Sequence, residues 1–179
     1  MSGNPGIPGG EATGGGTPSS RRALVVVVSD GVAAGTRTDA SGAGLVARLS
    51  ALGFDVETAI VADDRLAIEA LLRTAAATHQ LVVTTGGTGL TPRDVTPQAV
   101  RSVVEYEVPG FGELMRAQGA KSTPFSYMSR SLAGVIRRCL VVAVPGSPRG
   151  ALESLDAIVP LLDHALDTLT GPFEHTRER

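Results

Sequence analysis

An α/β fold on a parallel sheet is what this sequence predicts, from three observations. Apolar runs rich in β-branched residues, "LVVVV" from Leu24 and "CLVVAV" from Cys139, have the composition of strands buried on both faces. Segments with helical spacing alternate with the strands. The loops "SDGVAAGTRTD", "TTGGTGLTPRD" and "PGSPRG" are polar and glycine-rich, and they leave the strands at their carboxyl ends, where open α/β sheets bind ligands.

Residues 1–20 hold seven Gly and three Pro and almost no large apolar side chain, so they cannot recover the entropy of being ordered. They read as a disordered tail, and 21–179 as one domain. Its first strand is Leu24 to Val28. A helix follows over Asp39 to Leu52, with Leu45, Val46, Leu49 and Leu52 on one face and Gly53 as the stop. "FDVETAIV" reads as a strand and "DDRLAIEALLRTAAATH" as a helix capped by Asp63 or Asp64. Leu81 to Thr85 forms the third strand. Thr96 then serves as N-cap and Pro97 as first residue of a helix through about Glu105. Less regular sequence runs to Ser131, the Cys139 strand follows, and Ala151 to Leu169 makes a long final helix.

Composition excludes several classes. A length of 179 residues suits one domain plus a tail, and a net charge of −2 provides no global attraction for nucleic acid or anionic membrane. The single cysteine, Cys139, cannot form an internal disulfide, and His79, His164 and His175 are too scattered for a zinc site. No apolar run reaches the roughly 18 residues of a membrane span. A soluble, cytoplasmic protein is expected.

In the loop after the third strand, Gly86, Gly87 and Gly89 allow close backbone approach, and successive exposed amides form a nest for an anion. Hydroxyls of Thr84, Thr85 and Thr88 surround it. The loop lacks the Gly-Lys-Ser/Thr ending of a Walker A motif and the third glycine of a dinucleotide fingerprint. Asp94 reads either as a helix-initiating residue or as a cation ligand, and Asp63 has the same two readings. A carboxylate beside a phosphate nest repels its guest unless a cation joins them, which points to Mg²⁺ held between carboxylates and substrate phosphates.

Four segments in order, "TTGGTGLTPRDVTP", "VPGFGELMR", "SRSLAG" and "VPGSPRGALESL", resemble the molybdopterin-binding family that includes the Mog adenylyltransferases and MoaB, from about Ala23 to Leu169. The resemblance implies a three-layer α/β/α sandwich with a mostly parallel sheet, and an assembly into trimers, in some members hexamers. It implies molybdenum cofactor biosynthesis by transfer of AMP from ATP to molybdopterin with release of pyrophosphate. Other proteins of that pathway are implied as partners. On this chain the family's acidic residues fall at Asp63 and Asp94, which are taken as catalytic and as Mg²⁺ ligands. Its nucleotide- and substrate-binding positions fall at Ser29, Asp30, Thr85, Gly86, Gly87, Thr88, Gly89, Ser129, Arg130, Pro145, Gly146 and Ser147. Where several adenylyltransferases read Pro-Asp-Glu, this chain reads Ala62-Asp63-Asp64, so either Asp can take the role. "GTRTDASG" leans toward MoaB and "LTPRDVTP" toward the adenylyltransferases. The rivals are a MoaB-type pterin-binding protein without transfer activity and a scaffold for cofactor assembly.

Overall fold

The computed structural model describes residues 21–171; the tail at 1–20 lies outside them. In chain order the elements are β1 (Arg22–Val28), the single turn α1 (Asp30–Ala33), α2 (Ser41–Ala51), β2 (Asp55–Val61), α3 (Arg65–Ala75), β3 (Leu81–Thr85) and α4 (Thr96–Val103). They continue with β4 (Tyr106–Glu107), α5 (Pro109–Ala120), a 3-10 turn (Pro124–Met128), β5 (Leu132–Ile136), β6 (Cys139–Val144) and α6 (Pro148–Thr170).

The strand order is β2-β1-β3-β6-β5-β4. β1, β2, β3 and β6 run parallel, with Val25 opposite Val83 and Val83 opposite Val142. β5 runs against β6, and β4 against β5, so the sheet is mostly parallel. Alternation along the strands divides the core between two faces. Ala23, Val25, Leu81 and Val83 pack with Leu45 and Leu49 of α2, Phe111 and Met115 of α5, and the Leu155–Ile158–Leu162–Leu166 stripe of α6. Leu24, Val26, Val28 and Val82 pack with Ile68 and Leu72 of α3 and Val100 and Val103 of α4. The result is the expected three-layer α/β/α sandwich.

The structure refines the local expectations. The segment before Ser131 contains a twelve-residue helix, α5, and the residues directly after Ser131 form a buried strand, β5. Phe111 and Met115 are buried in the core of this chain, whereas Leu114 between them is exposed, as are Phe125, Tyr127 and Met128 further along. The N-cap of α4 is Val95, and Thr96 is already helical. Of the two Asp residues before α3, Asp64 is the cap, accepting from the Ala67 amide at 2.8 Å. Cys139 is a core residue, its thiol pushed by burial up to about 12.

Candidate active site

The chain reverses its direction of winding between β1 and β3: β2 lies outside β1, whereas β3 and everything after it lies on the other side. Loops leaving the carboxyl ends of β1 and β3 therefore diverge and open a crevice, the usual ligand position in such sheets. A cleft of about 340 Å³ lies there. Its walls are Ser29 and the Arg37–Ser41 segment after β1, Asp63 after β2, Thr85–Gly87, Arg93 and Asp94 after β3, and Gly146–Pro148 after β6.

The glycine turn explains itself sterically. Gly86 has φ +106°, and a Cβ there would lie 2.3 Å from the Val28 carbonyl oxygen; Gly87 has φ +63°, and its Cβ would lie 2.4 Å from Thr96 Oγ1. Both positions are left-handed and filled by neighbours, so only glycine fits. The turn is also bolted from afar. Arg130 donates from its backbone amide to Thr88 O at 2.9 Å and from Nε to Gly89 O at 2.8 Å, and its Nη2 reaches Asp94 O at 2.5 Å. Thr85 Oγ1 donates to Pro145 O at 2.8 Å, tying the β3 loop to the β6 loop.

Charges around the turn are arranged in a chain. The Asp30 amide donates to Asp63 Oδ2 at 2.9 Å, and the Asp63 amide donates to Asp30 Oδ1 at 3.0 Å. Asp30 also pairs with Arg93. The Asp63 amide and the Arg93 guanidinium hold the Asp30 carboxyl below the usual carboxylate range. Asp94 Oδ2 accepts from the Thr91 amide at 2.8 Å and the Thr91 hydroxyl at 2.7 Å. Partial burial raises the Asp94 carboxyl, but the Thr91 donors, the Gly89 amide and the Arg130 charge outweigh it and hold it low. Asp94 thus closes its own loop and does not cap α4.

Of the candidate positions, Ser29, Asp63, Thr85, Gly86, Gly87, Asp94, Gly146 and Ser147 line the same cleft. Asp30 stands at its edge, holding Arg93 and Asp63 in place. Thr88, Gly89 and Arg130 lie behind the wall, where Thr88 Oγ1 meets Ser129 Oγ at 3.2 Å, so they shape the loop without lining the cleft. Ser129 and Pro145 line a second cleft of about 220 Å³ together with Met115, Phe125, Ser126 and Ser154; Ser147 lines both. Sequence reasoning did not single out Arg37, Asp39 or Ser41. Asp39 Oδ1 accepts from the Gly42 amide at 2.7 Å and so fixes the start of α2, while Arg37 is the one basic residue between Arg22 and Arg48, which is the signal that could have marked it.

Three comparisons bear on this cleft. A family described as a probable molybdopterin binding domain matches residues 24–164. The chain belongs to that molybdopterin-binding family. Molybdopterin adenylyltransferase of Helicobacter pylori strain J99 is 38% identical over 162 residues, covering 87% of this chain and 91% of that protein. The solved molybdopterin biosynthesis Mog protein of Mycobacterium ulcerans superposes with a TM-score of 0.80 at 34% identity, over 84% of this chain and 99% of that one. MoaB of Thermus thermophilus superposes with a TM-score of 0.77 at 41% identity, over 86% and 99%. Among the described residues no helix is long and apolar enough to cross a membrane.

The donors of this family member fit a hard divalent cation. Asp63 and Asp94 supply carboxylate oxygens to one cleft, while no group of three or more His, Cys, Asp or Glu able to hold a metal occurs among the described residues. A cation held by those two carboxylates would take its remaining ligands from phosphate and water, as Mg²⁺ commonly does.

Proposed function

We propose that the chain transfers AMP from ATP to the terminal phosphate of molybdopterin, releasing pyrophosphate, in molybdenum cofactor biosynthesis. The observation that carries this reading is the Gly86-Gly87 turn opening onto a cleft shared by Asp63, Asp94 and Arg93. The printed names of relatives in Helicobacter pylori and Escherichia coli, both molybdopterin adenylyltransferase, support it.

The attacking group is already on the substrate. A phosphate monoester with a second pKa near 6 is largely dianionic at neutral pH, so no strong general base is needed. The protein has to align two anions and stabilise charge at the α-phosphate and the departing pyrophosphate. The backbone amide of Gly87 and the N-terminus of α6, opened by Ser147, face the phosphates. Arg37 and Arg93 supply positive charge beside them. Asp63 and Asp94 would hold Mg²⁺, which supplies charge neutralisation between phosphoryl oxygens when bound. The second cleft, with its hydroxyls and the apolar walls of Phe125, Met115 and Pro145, takes the pterin ring. Ser147, common to both clefts, marks where the two substrates meet.

Purified protein with ATP, Mg²⁺ and molybdopterin should form pyrophosphate and adenylylated pterin in equal amounts. A protein that binds the pterin and forms no pyrophosphate is instead a MoaB-type binding module. A scaffold would bind its partner equally well without either ligand.

A homotrimer is proposed on the family resemblance and on the exposed Phe125, Tyr127 and Met128. Sedimentation at micromolar concentration should show it; a monomer alone would remove it.

A further inference from the structure

Two oxygens face the same small gap beside Gly87. Thr96 has no exposed surface, and its Oγ1 has no hydrogen-bond partner among the described residues. A Cβ on Gly87 would lie 2.4 Å from Thr96 Oγ1 and 3.5 Å from Asp63 Oδ1. Asp63 spends Oδ2 on the Asp30 amide, while no described residue donates to its Oδ1. A donor without an acceptor and an acceptor without a donor therefore flank the position that a side chain on Gly87 would occupy.

The helix offers the hydroxyl no other use. A threonine at the N-cap position would accept from the first turn of amides, but here that position is Val95 and Thr96 is one residue inside. A threonine within a helix can donate to the carbonyl four residues back, but Pro92 lies outside α4. The Thr96 amide donates to Gly87 O at 3.2 Å, so its backbone is fastened to the turn while its hydroxyl is left over. Buried polar groups without partners are rare in native proteins, and each calls for an explanation.

We propose that Thr96 is a positioning residue for Asp63: in the loaded cleft its hydroxyl donates to Asp63 Oδ1 across the gap at Gly87. The carboxylate would then be held from both oxygens, by the Asp30 amide on Oδ2 and by Thr96 on Oδ1. Each oxygen keeps a lone pair for a cation. Hydrogen bonds of this kind to ligating carboxylates fix their orientation, and losing one typically weakens metal binding by about 10- to 100-fold. The inference rests on the reading of this cleft as a nucleotide site with a divalent cation.

The test is the thermal shift produced by ATP as Mg²⁺ is titrated, measured on wild type, Thr96→Val and Thr96→Ser. Valine keeps the shape and removes the hydroxyl, so the melting temperature of free Thr96→Val should stay level or rise. The Mg²⁺ concentration giving half of the ATP-dependent shift should increase about tenfold. Thr96→Ser should behave as wild type. An unchanged Mg²⁺ midpoint in Thr96→Val overturns the proposal, as does an equal defect in Thr96→Ser. A fall of several degrees in free Thr96→Val also overturns it, since the hydroxyl would then be paired before any ligand arrives. Wild type showing no Mg²⁺-dependent shift with ATP removes the nucleotide reading itself and this inference with it.

Discussion

The two clefts that meet at Ser147 differ in what they offer a ligand. The first is walled by charge, with Asp39, Asp63, Asp94, Arg37 and Arg93 around a turn of backbone amides. The second presents Thr123, Ser126, Ser129 and Ser154 with the apolar surfaces of Met115, Phe125 and Pro145, and keeps Arg116 and Glu153 as its charged members. Charges of both signs at close range suit a polyanion that arrives with a cation. Hydroxyls on an apolar wall suit a flat heterocycle whose faces are greasy and whose edges hydrogen-bond. The difference teaches that the two clefts are distinguished by chemistry as well as by position.

The comparison can be broken most severely at the turn. Gly86→Ala puts a Cβ 2.3 Å from the Val28 carbonyl oxygen at φ +106°, against backbone that cannot move aside. Strain of that kind costs on the order of 3 kcal/mol, enough to lower the melting temperature by several degrees and to abolish ATP binding. A scanning calorimetry trace like that of wild type would contradict this account of the turn. Asp63→Asn comes next. Transfer should fall on the order of 100-fold with pterin binding retained, because a full charge is lost from the first cleft alone. Steady-state pyrophosphate release and a pterin titration decide it. Asp94→Asn is a less clean probe, since that carboxylate also accepts both Thr91 donors.

The second cleft is sharpened by Phe125→Ala, which should weaken pterin binding roughly tenfold and leave the ATP-induced thermal shift untouched. Equal losses for both ligands would merge the two clefts into one. The smallest effect concerns pH. Asp30 and Asp94 are held below their ordinary 3.8 in the folded chain, so the stability they contribute is present above that value and is lost as pH falls through their lowered ones. Melting temperature should be level between about pH 5 and 7 and decline below about pH 4. Asp30→Asn should make that acid decline shallower; an identical profile would show that the pairing with Arg93 is not felt.

What the sequence disclosed follows a physical line. β1, β3 and β6 are unbroken β-branched runs, and each was legible because a strand covered on both faces has no polar alternation to confuse it. α5 was not legible: "PGFGELMRAQGA" carries glycine at 110, 112 and 119, which reads as loop, and its helix is secured by burying Phe111 and Met115. β5 is cut by Gly134 and gains its identity from pairing with β6. In the site, the glycine turn and both carboxylates could be read from the chain. The division of labour between Asp63 and Asp64 could not, since either residue caps a helix equally well and only the placement of Ala67 decides. Arg130 was placed by the resemblance among the ligand-binding positions, and three-dimensional proximity made it a clamp on Gly89 and Asp94.

The position of β6 has a consequence for synthesis. That strand is made near the end of the chain yet inserts between β3 and β5, and the Gly146–Pro148 wall of the first cleft follows directly from it. A nascent polypeptide carrying Asp63, the glycine turn and Asp94 but not yet β6 has an open edge on β3 and no far wall to its cleft. It cannot close around a nucleotide, and it is the species most exposed to wrong pairing on the ribosome. Chains released short of Val144 lack the complete β6 strand and the Gly146–Pro148 wall, and so never complete the first cleft.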